Sequence, residues 1–129
     1  MTKNKIENYL VRLGAKRTLS GFKCLVETIY MYSLNPNLRL YEDIYRTVAN
    51  MFGYRLQNVE RNMRTVIENL YDNPKSSVYD LLDCDISTKT ACPTLKSFID
   101  IVIHNINKEI WYGINLVSNI ISNTIKENK

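Results

Sequence analysis

"NVERNMRTVIENLY", residues 58–71, is the stretch on which the reading of this chain turns. Val59, Met63, Val66 and Leu70 recur at steps of four, three and four, the rhythm of one buried helix face. Turning those residues inward leaves Gln57, Asn58, Arg61, Arg64, Thr65 and Glu68 on the outward face. Arginine offers a planar fork that grips guanine O6 and N7 together, and Asn or Gln does the same for adenine. Glu60 stands four residues before Arg64, where it can orient the guanidinium or accept from cytosine N4. Two arginines one helical turn apart are thus placed to reach neighbouring base pairs. The competing reading is a solvated face on which Arg61 and Arg64 pair with Glu60, Glu68 or Asp72.

The segment before it decides what this helix packs against. In "YRTVANMFGYRLQNVERNMR", residues 45–64, Ala49 precedes Gly53 by four residues and Gly53 precedes Val59 by six. A helix-turn-helix needs a small residue where its helices cross and a residue tolerating left-handed backbone in the turn. It also needs an apolar residue facing back into the crossing. Any two helices joined by a glycine turn would share part of this pattern.

Helices account for most of what surrounds the pair. "KIENYLVRLG" places Ile6, Leu10 and Leu13 on one face and stops at Gly14. "TLSGFKCLVETIYMYSL" carries a broad apolar stripe and ends at "NPN", where Pro36 disfavours helix for Asn35. A third helix is expected from near Leu38 to Gly53, and the fourth from about Leu56 to Tyr71. A short fifth helix, "SVYDLLD", precedes the polar loop "CDISTKTACP", and Pro93 and Thr94 open a long last helix. No convincing alternating strand, internal repeat or low-complexity tract interrupts the pattern, and the fold class expected is all-α.

Composition narrows the function. The 129 residues suit one ordinary domain, and 45% hydrophobic content suffices for a core. No apolar run spans a membrane, and the basic N-terminus is not followed by the apolar core of a signal peptide, so a soluble, cytoplasmic protein is expected. The charge is lopsided: residues 1–64 hold 11 Lys and Arg against 5 Asp and Glu. The remainder holds 6 against 8. Such asymmetry fits a molecule with one face toward a polyanion, although basic solvated helices would produce it too. Cys24, Cys84 and Cys92 are too widely spaced for a disulfide framework, and Cys84, Cys92 and His104 lack the paired spacing of a metal site. The carboxylates Asp80, Asp83 and Asp85 read as a solvated helix end. With one His, no nucleophile–base set and no phosphate-binding glycine loop, no catalysis, metal or cofactor is expected.

At this point the sequence resembles a known family, the C-terminal DNA-binding effector domain of the sporulation-initiation response regulator of endospore-forming bacteria. The likeness runs from about Ile6 to Ile106 and is carried by four landmarks. These are "LGAKRTLSGFKCLVETIYM" with Gly14 and Gly21 seven apart, "IYRTVANMF", "NVERNMRTVIENLY" and "ACPTLKSFIDIV". The resemblance implies a helical fold built around a helix-turn-helix that binds double-stranded DNA at boxes resembling TGTCGAA, often in tandem. It implies base contacts from the Glu and two Arg of the "VER..R" motif, here Glu60, Arg61 and Arg64. Asn58 and Thr65 also fall on the reading face, where the family commonly has Arg and His, so the target can differ from the family's box. Between Gly14 and Gly21 this chain has "AKRTLS" where the family has a different segment. Lys16, Arg17 and Lys23 keep the region basic and suit phosphate contact, as do Arg55 and Gln57 beside the turn. No receiver domain is expected on this polypeptide, and phosphorelay control would then be absent from it.

Beyond about residue 107 the likeness ends while the apolar rhythm continues through Ile110, Ile114, Val117, Ile121 and Ile125, widened by Trp111. One helix from Thr94 to Lys126 would span roughly 50 Å, against a diameter of roughly 36 Å for a compact domain of this size. Either it breaks between Asn107 and Gly113 and folds back, or it projects and pairs with another chain. The expected organisation is a DNA-binding domain over 1–107 and a helical extension over 108–129, with Ile110, Trp111, Ile114, Val117 and Ile121 joining two copies. The function expected is sequence-specific transcription regulation at the nucleoid, with RNA polymerase a further candidate partner. The alternative is an interaction module that binds or antagonises the full-length sporulation regulator.

Overall fold

Thr2 starts the first helix: its hydroxyl accepts from the Lys5 N–H at 3.2 Å, and α1 runs Lys3–Leu13. It stops at Gly14, whose φ of +112° takes the left-handed bend. The Gly14 N–H then reaches the Val11 carbonyl and the Ala15 N–H the Leu10 carbonyl, both at 3.0 Å, which satisfies the carbonyls left over at the helix end. α2, Ser20–Leu34, begins two residues later than the sequence pattern suggests and ends at Asn35 as expected. The chain is seen in a computed structural model that describes residues 1–73, 75–78 and 92–127. Every regular element among them is helical.

The third segment differs in its winding. Leu40–Tyr45 is a π-helical turn, with the Ile44 N–H donating to the Arg39 carbonyl at 3.1 Å, and only Arg46–Phe52 is α-helix (α3). The wide turn moves its capping carboxylate along by one residue. Asp43, four residues on, accepts from the Arg39 N–H at 2.8 Å, where a capping box would use the third. α4 follows as Leu56–Asp72, and α5 runs Leu95–Glu127 behind Thr94, whose hydroxyl accepts from the Ser97 N–H at 3.2 Å. Most of the expected short helix "SVYDLLD" lies outside the described residues. Ser77 within it donates its N–H to the Leu13 carbonyl at 2.9 Å, and Val78 is buried.

α2 is the central helix and touches every other described helical element. Its buried residues, among them Leu25 and Ile29, meet Leu10 of α1, Val48 of α3, Met63 of α4 and Phe98 of α5 in one core. The α2–α4 crossing is the tightest. A Cβ on Gly21 would overlap the backbone carbonyl of Asn62, so only glycine lets the two helices approach this far. Thr28, fully buried, donates its hydroxyl to Met63 Sδ at 3.4 Å across the same seam.

α5 bears on the expectation that the tail breaks and folds back. It is one continuous helix of 33 residues, with no break between Asn107 and Gly113. Leu95, Phe98, Ile99, Val102 and Ile106 are buried in the core, Ile110 is half-buried, and every large apolar residue from Trp111 to Ile125 is more than half exposed. The described tail does not fold back. No helix among the described residues is long and apolar enough to cross a membrane.

Candidate nucleic-acid interface

The turn between α3 and α4 is built as the residue types demand. Gly53 sits at φ +69°, and the Tyr54 N–H donates to the Ala49 carbonyl at 2.9 Å, closing α3. Among the described residues nothing lies within 4 Å of where a Gly53 Cβ would be, so the glycine answers to backbone twist and not to crowding. Ala49 and Val59 are both buried, as the crossing requires.

α4 presents its two faces as the spacing indicates. Val59, Met63, Val66 and Leu70 are fully buried, with Ile67 beside them. Gln57, Arg61, Arg64, Thr65 and Glu68 are exposed, and Asn58 and Glu60 are half-buried at the edges. Arg64 Nη2 meets Glu60 Oε1 at 2.6 Å, so one guanidinium is braced along the helix. The Arg61 side chain has no ion pair or hydrogen bond among the described residues and is exposed. Thr65 donates its hydroxyl to the Arg61 carbonyl at 3.0 Å, which leaves its oxygen lone pairs facing outward. Of the pairs that the competing reading names, Arg64 forms the one with Glu60, and Arg61 forms none with Glu60, Glu68 or Asp72.

Sequence reasoning missed Tyr45. Its phenol is buried behind Glu60 and Arg64, and burial holds its pKa above the ordinary value, with Glu60 adding to the rise and Arg64 opposing it. A signal was available, because Tyr45 stands four residues before Ala49 and therefore on the same face of the helix.

The basic residues flanking this face fall into two groups. Lys23 of α2 holds its ammonium over the rings of Phe52 and Tyr54, 4.6 and 5.2 Å from their centroids, which places it beside the turn. Arg55 and Gln57 are exposed at the start of α4. Arg55 supplies no side-chain cap there, so the helix keeps a positive end able to take a phosphate oxygen. Arg17 instead reaches back to α1, where Nη1 pairs with Glu7 Oε1 at 3.0 Å, while Lys16 is exposed in the same loop. The structure thus gathers Lys23, Arg55 and Gln57 around the turn and ties Arg17 toward α1.

Fold and face together define a helix-turn-helix domain with an exposed arginine-bearing second helix. The family described as "Sporulation initiation factor Spo0A C terminal" matches residues 6–106. The chain belongs to this family, the DNA-binding effector domains of sporulation regulators. No curated protein gives a significant match to the sequence. Among the described residues no group of His, Cys, Asp and Glu is arranged to hold a metal ion. Cys84, Asp80, Asp83 and Asp85 lie outside the described residues.

Proposed function

We propose that this protein is a sequence-specific transcription regulator that reads the major groove with α4, at boxes related to TGTCGAA. The single observation that supports it best is the state of the two arginines. The Arg61 side chain is exposed and unpartnered among the described residues while Arg64 is held by Glu60, on a helix whose other face is fully buried. One fork is free to find a base edge, and the other is already aimed. Asn58 and Thr65 complete the reading face. Lys16, Lys23, Arg55 and Gln57 serve the phosphates, and Arg17 joins them by exchanging Glu7 for a phosphate oxygen.

The test is titration of the whole chain against a labelled duplex carrying the box and against a scrambled duplex, at several salt concentrations. Arg61→Ala is expected to cost about 1–3 kcal/mol on the box and to level the two affinities. A variant that discriminates as well as the parent overturns the assignment. No preference for any box, together with capture of the full-length regulator, would support the antagonist reading instead, for which the exposed tail is the favouring observation.

A further inference from the structure

From Trp111 to Ile125 the last helix contains no charged residue, although it stands in solvent. At 3.6 residues per turn, its apolar side chains from Tyr112 round to Ile125 cover an arc of roughly 220°, far wider than the stripe of about 100° that one covering element needs. Gly113 sits in mid-helix with nothing near its Cβ position among the described residues, a weak helix former that no described contact within its own chain explains. On one side this arc borders a groove of about 680 Å³ between α5 and α1, lined by Lys5, Tyr9 and Arg12 with Ile110, Ile114 and Val117.

We infer that a second copy of this chain covers the overhang, with the two α5 tails antiparallel and each tip seated in the other's α1–α5 groove. Two features select this occupant. The eight large apolar residues between Trp111 and Ile125, each more than half exposed, present roughly 800 Å² per copy, the area that each partner contributes to a standard stable interface. The groove selects the direction, because parallel tails would leave it empty, whereas antiparallel tails carry each tip onto the partner's α1. A single helix could not cover so wide an arc; a tail and an α1 together can. The axis then passes near Val117 and Ser118, Ile114 lies opposite the partner's Ile121, and Ile110 lies opposite the partner's Ile125. Dimerisation at this surface is independent of the DNA reading and is tested without DNA.

The experiment is sedimentation of the full chain at micromolar concentration, with helix content followed by circular dichroism. The parent is expected at twice its 15.1 kDa mass. Ile114→Lys or Ile121→Glu alone should raise the dimer dissociation constant roughly 100-fold or more, because each buries an unpaired charge. Both substitutions are on an exposed helix and leave the core residues in place. The double variant should recover the dimer, since the register sets Lys against Glu. A monomeric parent, singles that stay dimeric, or a double variant that stays monomeric each overturns the proposal. So does a monomeric chain whose tail instead carries it onto neutral phospholipid vesicles.

Discussion

The Glu60–Arg64 ion pair has a proposed part in recognition that can be separated by experiment from its small part in stability. The pair is short, but Arg64 is more than half exposed, and such pairs contribute about 0–1 kcal/mol at the surface. Glu60→Gln is therefore expected to leave the thermal midpoint within about 3 °C of the parent. It should nonetheless reduce discrimination between box and scrambled duplex, because the guanidinium loses the carboxylate that aims it. Calorimetry and a binding titration on one preparation check both halves, and a large stability loss without a change in discrimination would refute the aiming role. Lys23 should behave in the opposite way. Its ammonium is steadied by Phe52 and Tyr54 beside the turn. Lys23→Ala is expected to weaken binding almost equally on box and scrambled DNA and to reduce the salt slope by about 1. A loss confined to the box would make Lys23 a base reader and not a phosphate contact.

At the scale of elements, Gly21 and Gly53 look alike in sequence and are held for different reasons. Gly53 needs left-handed backbone with open space around it, so Gly53→Ala is expected to cost about 1–2 kcal/mol. Gly21 needs room, and Gly21→Ala forces α2 against the α4 backbone, costing about 3 kcal/mol or more and lowering the unfolding midpoint accordingly. Thermal unfolding followed by circular dichroism ranks the two, and the reverse order would overturn the crossing described here. The contrast also marks what the sequence could disclose. The turn glycine, the buried stripe of α4 and the Thr94 cap are local signals, each written within about six residues, and they were legible. The closeness of α2 to Asn62 is a contact between distant segments, and a spacing of seven between Gly14 and Gly21 carries no trace of it. The π winding of Leu40–Tyr45 was likewise invisible, because an apolar rhythm fixes a face and not the hydrogen-bond ring size. For the candidate interface, the exposed polar face of α4 followed from periodicity. The diversion of Arg17 to Glu7 did not, since the pair joins a loop to another helix.

At the scale of the whole molecule, the packing of α1 beside α5 and of the π-helical turn beside α4 sets an alkaline limit on stability. Burial, with Glu109 adding and Arg12 opposing, pushes the Tyr9 phenol up to about 12 from its ordinary 10.0, and Tyr45 is raised as well. A raised folded-state pKa means that the native chain keeps its proton where the unfolded chain has lost it. Stability is therefore fully present below pH 10 and declines between pH 10 and about 12 as the unfolded tyrosines ionise. Tyr9→Phe should flatten that decline in denaturant titrations across the window, and an unchanged slope would remove Tyr9 as its source. The same molecule carries a mechanical consequence of the uninterrupted α5. With one end embedded among the core helices and no hinge along its length, the rod transmits angle as well as distance. Each residue inserted just past the core would advance whatever the tip grips by about 1.5 Å and turn it by about 100° relative to α4. A seven-residue insertion comes back nearly into phase, whereas an insertion of two leaves the tip pointing almost the opposite way. Orientation of anything fastened to that tip is thus set by the helical screw rather than by a tether.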